Sequence, residues 1–145
     1  MELPRDFKEF FLLLNKRLVK YLLVGGYAVT YHGYTRATGD IDIWVETNLE
    51  NGKRIIEVIR EFGFRSLKID EKIFIKENQI IRMGVPPLKI ELLTTLSGVA
   101  FNECYRKRIK ARISNIPIPI INLEHLKKNK AASSRLKDLN DLANL

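Results

Sequence analysis

Apolar and polar positions change period several times along the chain, and each change marks an element. The segment after Pro4, DFKEFFLLLNKRL, repeats apolar residues every three to four positions behind an early acidic turn, which predicts a helix over 4–18. YLLV is a short continuous apolar run stopped by Gly25 and Gly26, the pattern of a buried strand ending in a tight turn. YAVTYHGY then reads as a brief helix closed by Gly33. In DIDIWVE the period is two, so Asp40, Asp42 and Trp44 share one strand face and Ile41, Ile43 and Val45 the other. NGKRIIEVIREFG returns to the helical period and ends at Gly63. Weaker strands are expected at 64–69, 73–76 and 79–83, and a stronger one, LKIELLT, at 88–94 after Pro86 and Pro87. There Glu91 lies beside Lys89 on one face, with Leu88, Ile90 and Leu92 on the other. A helix over 98–108, an extended segment over 109–121 broken by Pro117 and Pro119, and two helices, LEHLKKNKAAS and RLKDLNDLANL, complete the chain. Strands and helices mixed in this way predict an α/β (α+β) domain, a mixed central sheet flanked by helices.

Composition narrows the setting. The 145 residues, 46% of them hydrophobic, suit one domain over 1–145 with a single core. No apolar run approaches the roughly 20 residues of a membrane span, and the N-terminal stretch lacks a secretory signal pattern, so a cytoplasmic protein with no membrane partner is expected. The lone Cys104 excludes an internal disulfide and a cysteine-cluster zinc site. The net charge of +8 is unevenly spread: 15 Lys/Arg face 13 Asp/Glu up to residue 102, against 10 and 4 from residue 103 onwards. YRKRIKAR, with Arg106, Lys107 and Arg108 at its centre, is either a solvated basic face or a nucleic-acid contact surface.

The two aspartates raise the chemical question, because paired carboxylates in an apolar strand need a cation. Asp40 and Asp42 on one face, with Glu91 from a second strand, form an all-oxygen set suited to Mg²⁺, which takes one or two carboxylates and fills its octahedron with water and substrate phosphate. Two such ions suit phosphoryl and nucleotidyl transfer. Gly25 and Gly26, at a strand-to-helix turn, let backbone approach a phosphate closely. No GK[ST] follows the turn and no GxGxxG is present, which sets aside a Walker loop and a dinucleotide fingerprint. His32 and His125 lack metal-ligand spacing and read as structural. Tyr27, Tyr31, Tyr34 and Trp44 flank the motif, either to stack on a base or to pack.

Taken together, a hydrophobic strand, GG, thirteen residues and then DID in a strand, with a later acidic strand residue, resemble the DNA polymerase beta-like nucleotidyltransferase superfamily. RATGDIDIWV, PPLKIELLTTLSGVAF and KNKAASSRLKDLNDLANL are similar to segments of small bacterial nucleotidyltransferases related to abortive-infection, toxin–antitoxin enzymes. The resemblance implies Mg²⁺-dependent transfer of NMP from an NTP to an acceptor hydroxyl on RNA, protein or a small molecule, with release of pyrophosphate. It implies that Asp40, Asp42 and Glu91 bind metal and carry catalysis, Glu91 standing where the superfamily commonly has aspartate. It also implies that Gly25, Gly26, Lys130 and Asp138 bind nucleotide, and Arg36 and Thr38, in the loop before DID, are expected to join them, the guanidinium on phosphate. Expected partners are the NTP, an RNA acceptor and a cognate antitoxin or partner protein. A toxin–antitoxin or regulatory module of the same fold, binding a nucleotide or a partner protein without efficient catalysis, is the alternative.

Overall fold

A computed structural model describes residues 1–64, 68–85 and 87–145. Helix α1 (Arg5–Lys16) leads into strand β1 (Tyr21–Val24), helix α2 (Gly25–Tyr31) and strand β2 (Asp40–Val45). Helix α3 (Leu49–Phe62), a 3₁₀ turn (Glu71–Ile75) and the strands β3 (Ile80–Val85) and β4 (Leu88–Leu93) follow. The chain ends with α4 (Phe101–Arg106), β5 (Ile109–Ile113), β6 (Ile116–Ile120), α5 (Leu123–Ser133) and α6 (Leu136–Asn144).

The strands form one mixed sheet in the order β3-β4-β2-β1-β6-β5. β2 runs antiparallel to β1 and parallel to β4, and β6 runs parallel to β1. Because registered partners share a face, the pleat sorts side chains across the whole sheet. One face carries Tyr21, Leu23, Ile41, Ile43, Ile90, Leu92, Ile81, Met83, Ile118 and Ile120. Helices α1 and α3 cover it: Phe11 packs on Tyr21, and Phe10 meets Phe62 edge to face at 5.2 Å. The other face is apolar only at one end, where Phe101 of α4 packs edge to face on Trp44 at 5.1 Å. At its opposite end lie the acids of β2 and β4.

Local chemistry sets the element ends. Asn48 caps α3 by accepting a hydrogen bond from the Asn51 backbone N–H at 2.7 Å, and Gly63 closes that helix in the left-handed region. The buried Asn51 side chain satisfies both Lys20 backbone groups and the Glu46 carbonyl, which ties the start of β1 to the end of β2.

Three expectations change. The strand expected at 73–76 is a 3₁₀ turn, begun by the Asp70 side chain accepting from Lys72 N–H at 2.8 Å and seated on α3 by the buried Phe74. Of the strand expected at 64–69, residues 65–67 lie outside the described residues, and Phe64, Lys68 and Ile69 are irregular. The extended segment 109–121 is a hairpin, β5–β6, turned at Ser114 and Asn115, both left-handed as a two-residue hairpin loop requires. Pro117 and Pro119 cannot donate to a neighbour, and β6 joins β1 in the ladder only at Ile120 against Leu23.

Candidate functional site

Sheet register brings the acids together. Asp42 pairs with Val24 of β1 on one side and Glu91 of β4 on the other, and Glu91 pairs in turn with Arg82 of β3. Four strands thus contribute one transverse row, with Asp40 and Lys89 registered in the next row. Asp40 and Asp42 do point the same way, as the alternation predicts. Burial and the neighbouring Glu91 and Asp40 carboxylates push the Asp42 carboxyl up to about 7, while Lys137 partly offsets them. Cations stand at both flanks: Arg82 Nε donates to Glu91 Oε1 at 3.2 Å, and Lys89 Nζ lies 3.8 Å from Asp40.

The glycine pair is required by this packing. Gly25 has φ +66°, a conformation that side chains disfavour, and a Cβ there would lie 2.1 Å from Asp42 Oδ2. A Cβ on Gly26 would lie 2.6 Å from Thr38 Oγ1 and 3.3 Å from an Arg36 Nη. The turn therefore presses the β2 carboxylate on one side and the Arg36–Thr38 loop on the other. Thr38 itself donates to the Asp40 carbonyl at 3.3 Å.

A buried ion network closes the cleft from the C-terminal helices. Lys130 of α5, 3% exposed, reaches Asp138 at 3.2 Å and Asp141 at 3.1 Å. Asp141 also takes both Arg36 Nε (2.7 Å) and Nη2 (2.9 Å), and Asp138 takes Arg135 Nε at 2.7 Å. Three cations thus surround two carboxylates. Burial opposes charge on Asp138 and Asp141, yet hydrogen bonds from Arg135, Lys130 and Arg36 outweigh it and hold both below the usual carboxylate range. Left-handed Ser134 makes the sharp bend between α5 and α6 that allows these contacts.

The open cleft measures about 660 Å³ and is lined by Gly25, Gly26, Arg36, Thr38, Asp40, Asp42, Glu91, Lys130 and Asp138, with Arg82, Arg135 and Lys137. Nine residues singled out from sequence thus meet at one place. Asp138, expected to bind nucleotide, is engaged by Lys130 and Arg135. Arg106, Lys107 and Arg108 do not line this cleft; Arg108 lies over the Tyr105 ring at 4.0 Å, beside a separate apolar groove of about 500 Å³. Trp44 and Tyr27 are buried packing residues, and Tyr34 accepts a hydrogen bond from Asn140. His32 Nε2 bonds the Ile121 carbonyl at 2.8 Å, and His125 is buried. Asp141, Arg82, Arg135 and Lys137 escape the sequence reading. The signal for Asp141 is its place three residues after Asp138, one helical turn along the same face.

No protein-family model and no curated protein matches the chain. Solved structures do. TM1012 of Thermotoga maritima, assigned as a nucleotidyltransferase, aligns over 97% of this chain and 89% of its own, at 15% identity and a TM-score of 0.67. The antibiotic-resistance factor ANT(2'')-Ia aligns over 95% and 79%, at 11% identity and 0.60. The lincosamide antibiotic adenylyltransferase LnuA, in its lincomycin-bound form, aligns over 99% and 96%, at 14% identity and 0.59. With its mixed sheet, its helices and the likeness of these three structures, the chain has the nucleotidyltransferase fold.

Proposed function

We propose that the protein transfers NMP from an NTP to an acceptor hydroxyl and releases pyrophosphate. The observation that carries this reading is the registered row in which Asp42 and Glu91 lie side by side, Asp40 on the same face, opposite a glycine turn and a buried cation network. Each part has a task in phosphoryl chemistry. Arg36 and Lys130, with the first N–H groups of α2, form the anion-binding end, where the triphosphate lies. The acids form the other end.

The donor set fits Mg²⁺. Among the described residues no three His, Cys, Asp or Glu side chains form a group that could hold a metal ion by themselves, so an ion here would need water and substrate phosphate to complete its shell. A carboxyl driven up to about 7 by burial and then by its carboxylate neighbours is one that a divalent cation relieves. Asp42, with Asp40 and Glu91, would hold it. Bound there, Mg²⁺ would supply activation of the acceptor hydroxyl and neutralisation of the departing pyrophosphate. The protein's own contribution is to align the triphosphate against the cation end, to accept the hydroxyl proton on the Asp42–Glu91 pair, and to keep Lys130 and Arg36 in place through Asp138 and Asp141.

Calorimetry with each NTP, with and without Mg²⁺, followed by incubation with α-labelled NTP and candidate acceptors, tests the reading. Wild type should bind an NTP only with Mg²⁺ and label an acceptor. Asp42→Asn should abolish labelling, and Glu91→Gln should cut turnover by roughly 10²-fold or more with NTP affinity retained. Labelling by an Asp40→Asn/Asp42→Asn double variant at the wild-type rate would remove the metal assignment.

A further inference from the structure

The cleft has two chemically distinct ends, and the reading above assigns the triphosphate to one of them. The other runs over β4 and the edge strand β3, and the acceptor must approach the acids from there. We propose that the acceptor carries a phosphate group next to its reacting hydroxyl, and that Arg82 binds that phosphate. This inference rests on the nucleotidyl-transfer reading and names the substrate class of the same site.

Arg82 is held and yet available. Its Nε donates to Glu91, its registered partner, at 3.2 Å, which directs the guanidinium toward the cleft acids, while its side chain is 59% exposed. Among the described residues its two terminal nitrogens make no hydrogen bond. A guanidinium oriented through Nε presents those nitrogens as a fork that matches two phosphate oxygens. Beside it, Ile80 is 47% exposed and Leu93 half-buried, an apolar surface for the body of the acceptor.

Charge accounting along the cleft points the same way. Among the described residues its carboxylates are Asp40, Asp42, Glu91 and Asp138. Asp138 is taken by Lys130 and Arg135, and Asp40, Asp42 and Glu91 belong to the metal reading, with Asp40 also facing Lys89 and Glu91 also facing Arg82. Among these described carboxylates none is left to receive the ammonium groups of a polycationic acceptor, which would also meet Arg82 as a like charge. A phosphate meets an opposite charge at that position. In the step itself, the acceptor oxygen bonds to the α-phosphorus as the bond from that phosphorus to the bridging oxygen breaks. Pyrophosphate leaves with the electron pair, and the hydroxyl proton passes to the Asp42–Glu91 carboxylates and on to solvent. Arg82 makes no covalent change.

The phosphate could be the phosphodiester beside the 3′ end of an RNA or a monoester on a small molecule. Five acceptors distinguish these when offered with Mg²⁺ and α-labelled NTP: an oligoribonucleotide with a free 3′-hydroxyl, a nucleoside 5′-monophosphate, the parent nucleoside, lincomycin and a polycationic aminosugar. A phosphate-bearing acceptor should be labelled with kcat/KM at least about tenfold above the nucleoside and both antibiotic-type probes. Labelling of the oligonucleotide alone assigns the diester, and of the mononucleotide alone the monoester. Arg82→Gln should raise the KM for that acceptor about tenfold with the KM for NTP unchanged, and Arg82→Lys should recover part of the loss. Lincomycin or the aminosugar labelled as well as the best phosphate acceptor would overturn the inference. So would an Arg82→Gln variant that loses kcat alone, because Arg82 would then only support Glu91. NTP bound with Mg²⁺ but no phosphate-bearing acceptor labelled removes the acceptor class and leaves nucleotide binding standing. Absence of NTP binding in calorimetry removes both.

Discussion

Asp42 lies against the glycine turn on one side and is registered with the like-charged Glu91 on the other. Its carboxyl is raised from an ordinary 3.8 to about 7, which makes ionisation in the folded state unfavourable relative to the unfolded chain. The sign follows directly. This group opposes stability least below pH 4, the opposition grows as pH rises from about 4 to 7, and above 7 it is constant. Without metal, Asp42→Asn should therefore melt about 3 °C or more above wild type at pH 8, and the gap should close near pH 4 in thermal scans by circular dichroism. The same titration links Mg²⁺ to protons. At pH 7 binding should release about half a proton per ion, falling towards zero by pH 8.5, as read from calorimetry in buffers of different ionisation enthalpy. A proton count independent of pH would remove Asp42 from the metal site.

At the scale of elements, two left-handed glycines separate a conformational role from a functional one. Gly63 has φ +115° with nothing within 4 Å of a Cβ built on it, so Gly63→Ala meets backbone strain alone. It should cost about 1 kcal/mol, roughly 3 °C in Tm, and leave nucleotide binding intact. Gly25→Ala meets the same strain and also drives Asp42 out of place, so it should abolish Mg²⁺-dependent NTP binding as well as lower Tm. The turn and both DID faces were legible in sequence because each rests on local chemistry: a glycine pair behind an apolar run, and alternation over six residues. EKIFI defeats such reading because a short apolar run is compatible with either a strand or a turn. Contact decides it: a Cβ on Gly52 of α3 would lie 2.8 Å from the Glu71 carbonyl and 3.0 Å from Phe74 Cβ, so the segment packs on that helix. The pairing of Asp42 with Glu91 and of Glu91 with Arg82 was out of reach, since strand order leaves no trace in either strand alone. For the same reason Glu91 showed its carboxylate but not its cation.

Across the whole molecule, the C-terminal helix is fastened to the first third of the chain by a part-buried ion pair and an exposed hydrogen bond. Asp141, 1% exposed, joins Arg36 and Lys130, and Asn140 reaches Tyr34 at 3.0 Å. Replacing it with Asn leaves two cations short of one negative charge in a buried place, a change of the class that costs about 3 kcal/mol or more. Asp141→Asn should accordingly lower Tm by roughly 9 °C, and hydrogen exchange should rise in α6 before it rises in β2 or β4. Uniform loss of protection across the sheet would show that α6 is not a separately fastened unit. Among the described residues no helix is long and apolar enough to cross a membrane.

The row that joins β1, β2, β4 and β3 also bears on the order in which the chain folds. Asp42 and Glu91 meet only when the parallel β2–β4 ladder forms, and that ladder spans α3 and β3 in the chain. Their repulsion is therefore absent from every local helix and hairpin and is first felt at a long-range pairing, the slow kind of step. The acids act as a tax on the rate at which the sheet closes. Refolding in stopped flow should quicken as pH falls from 8 to 6, or as Mg²⁺ is added at pH 8, while the early helical signal keeps its rate.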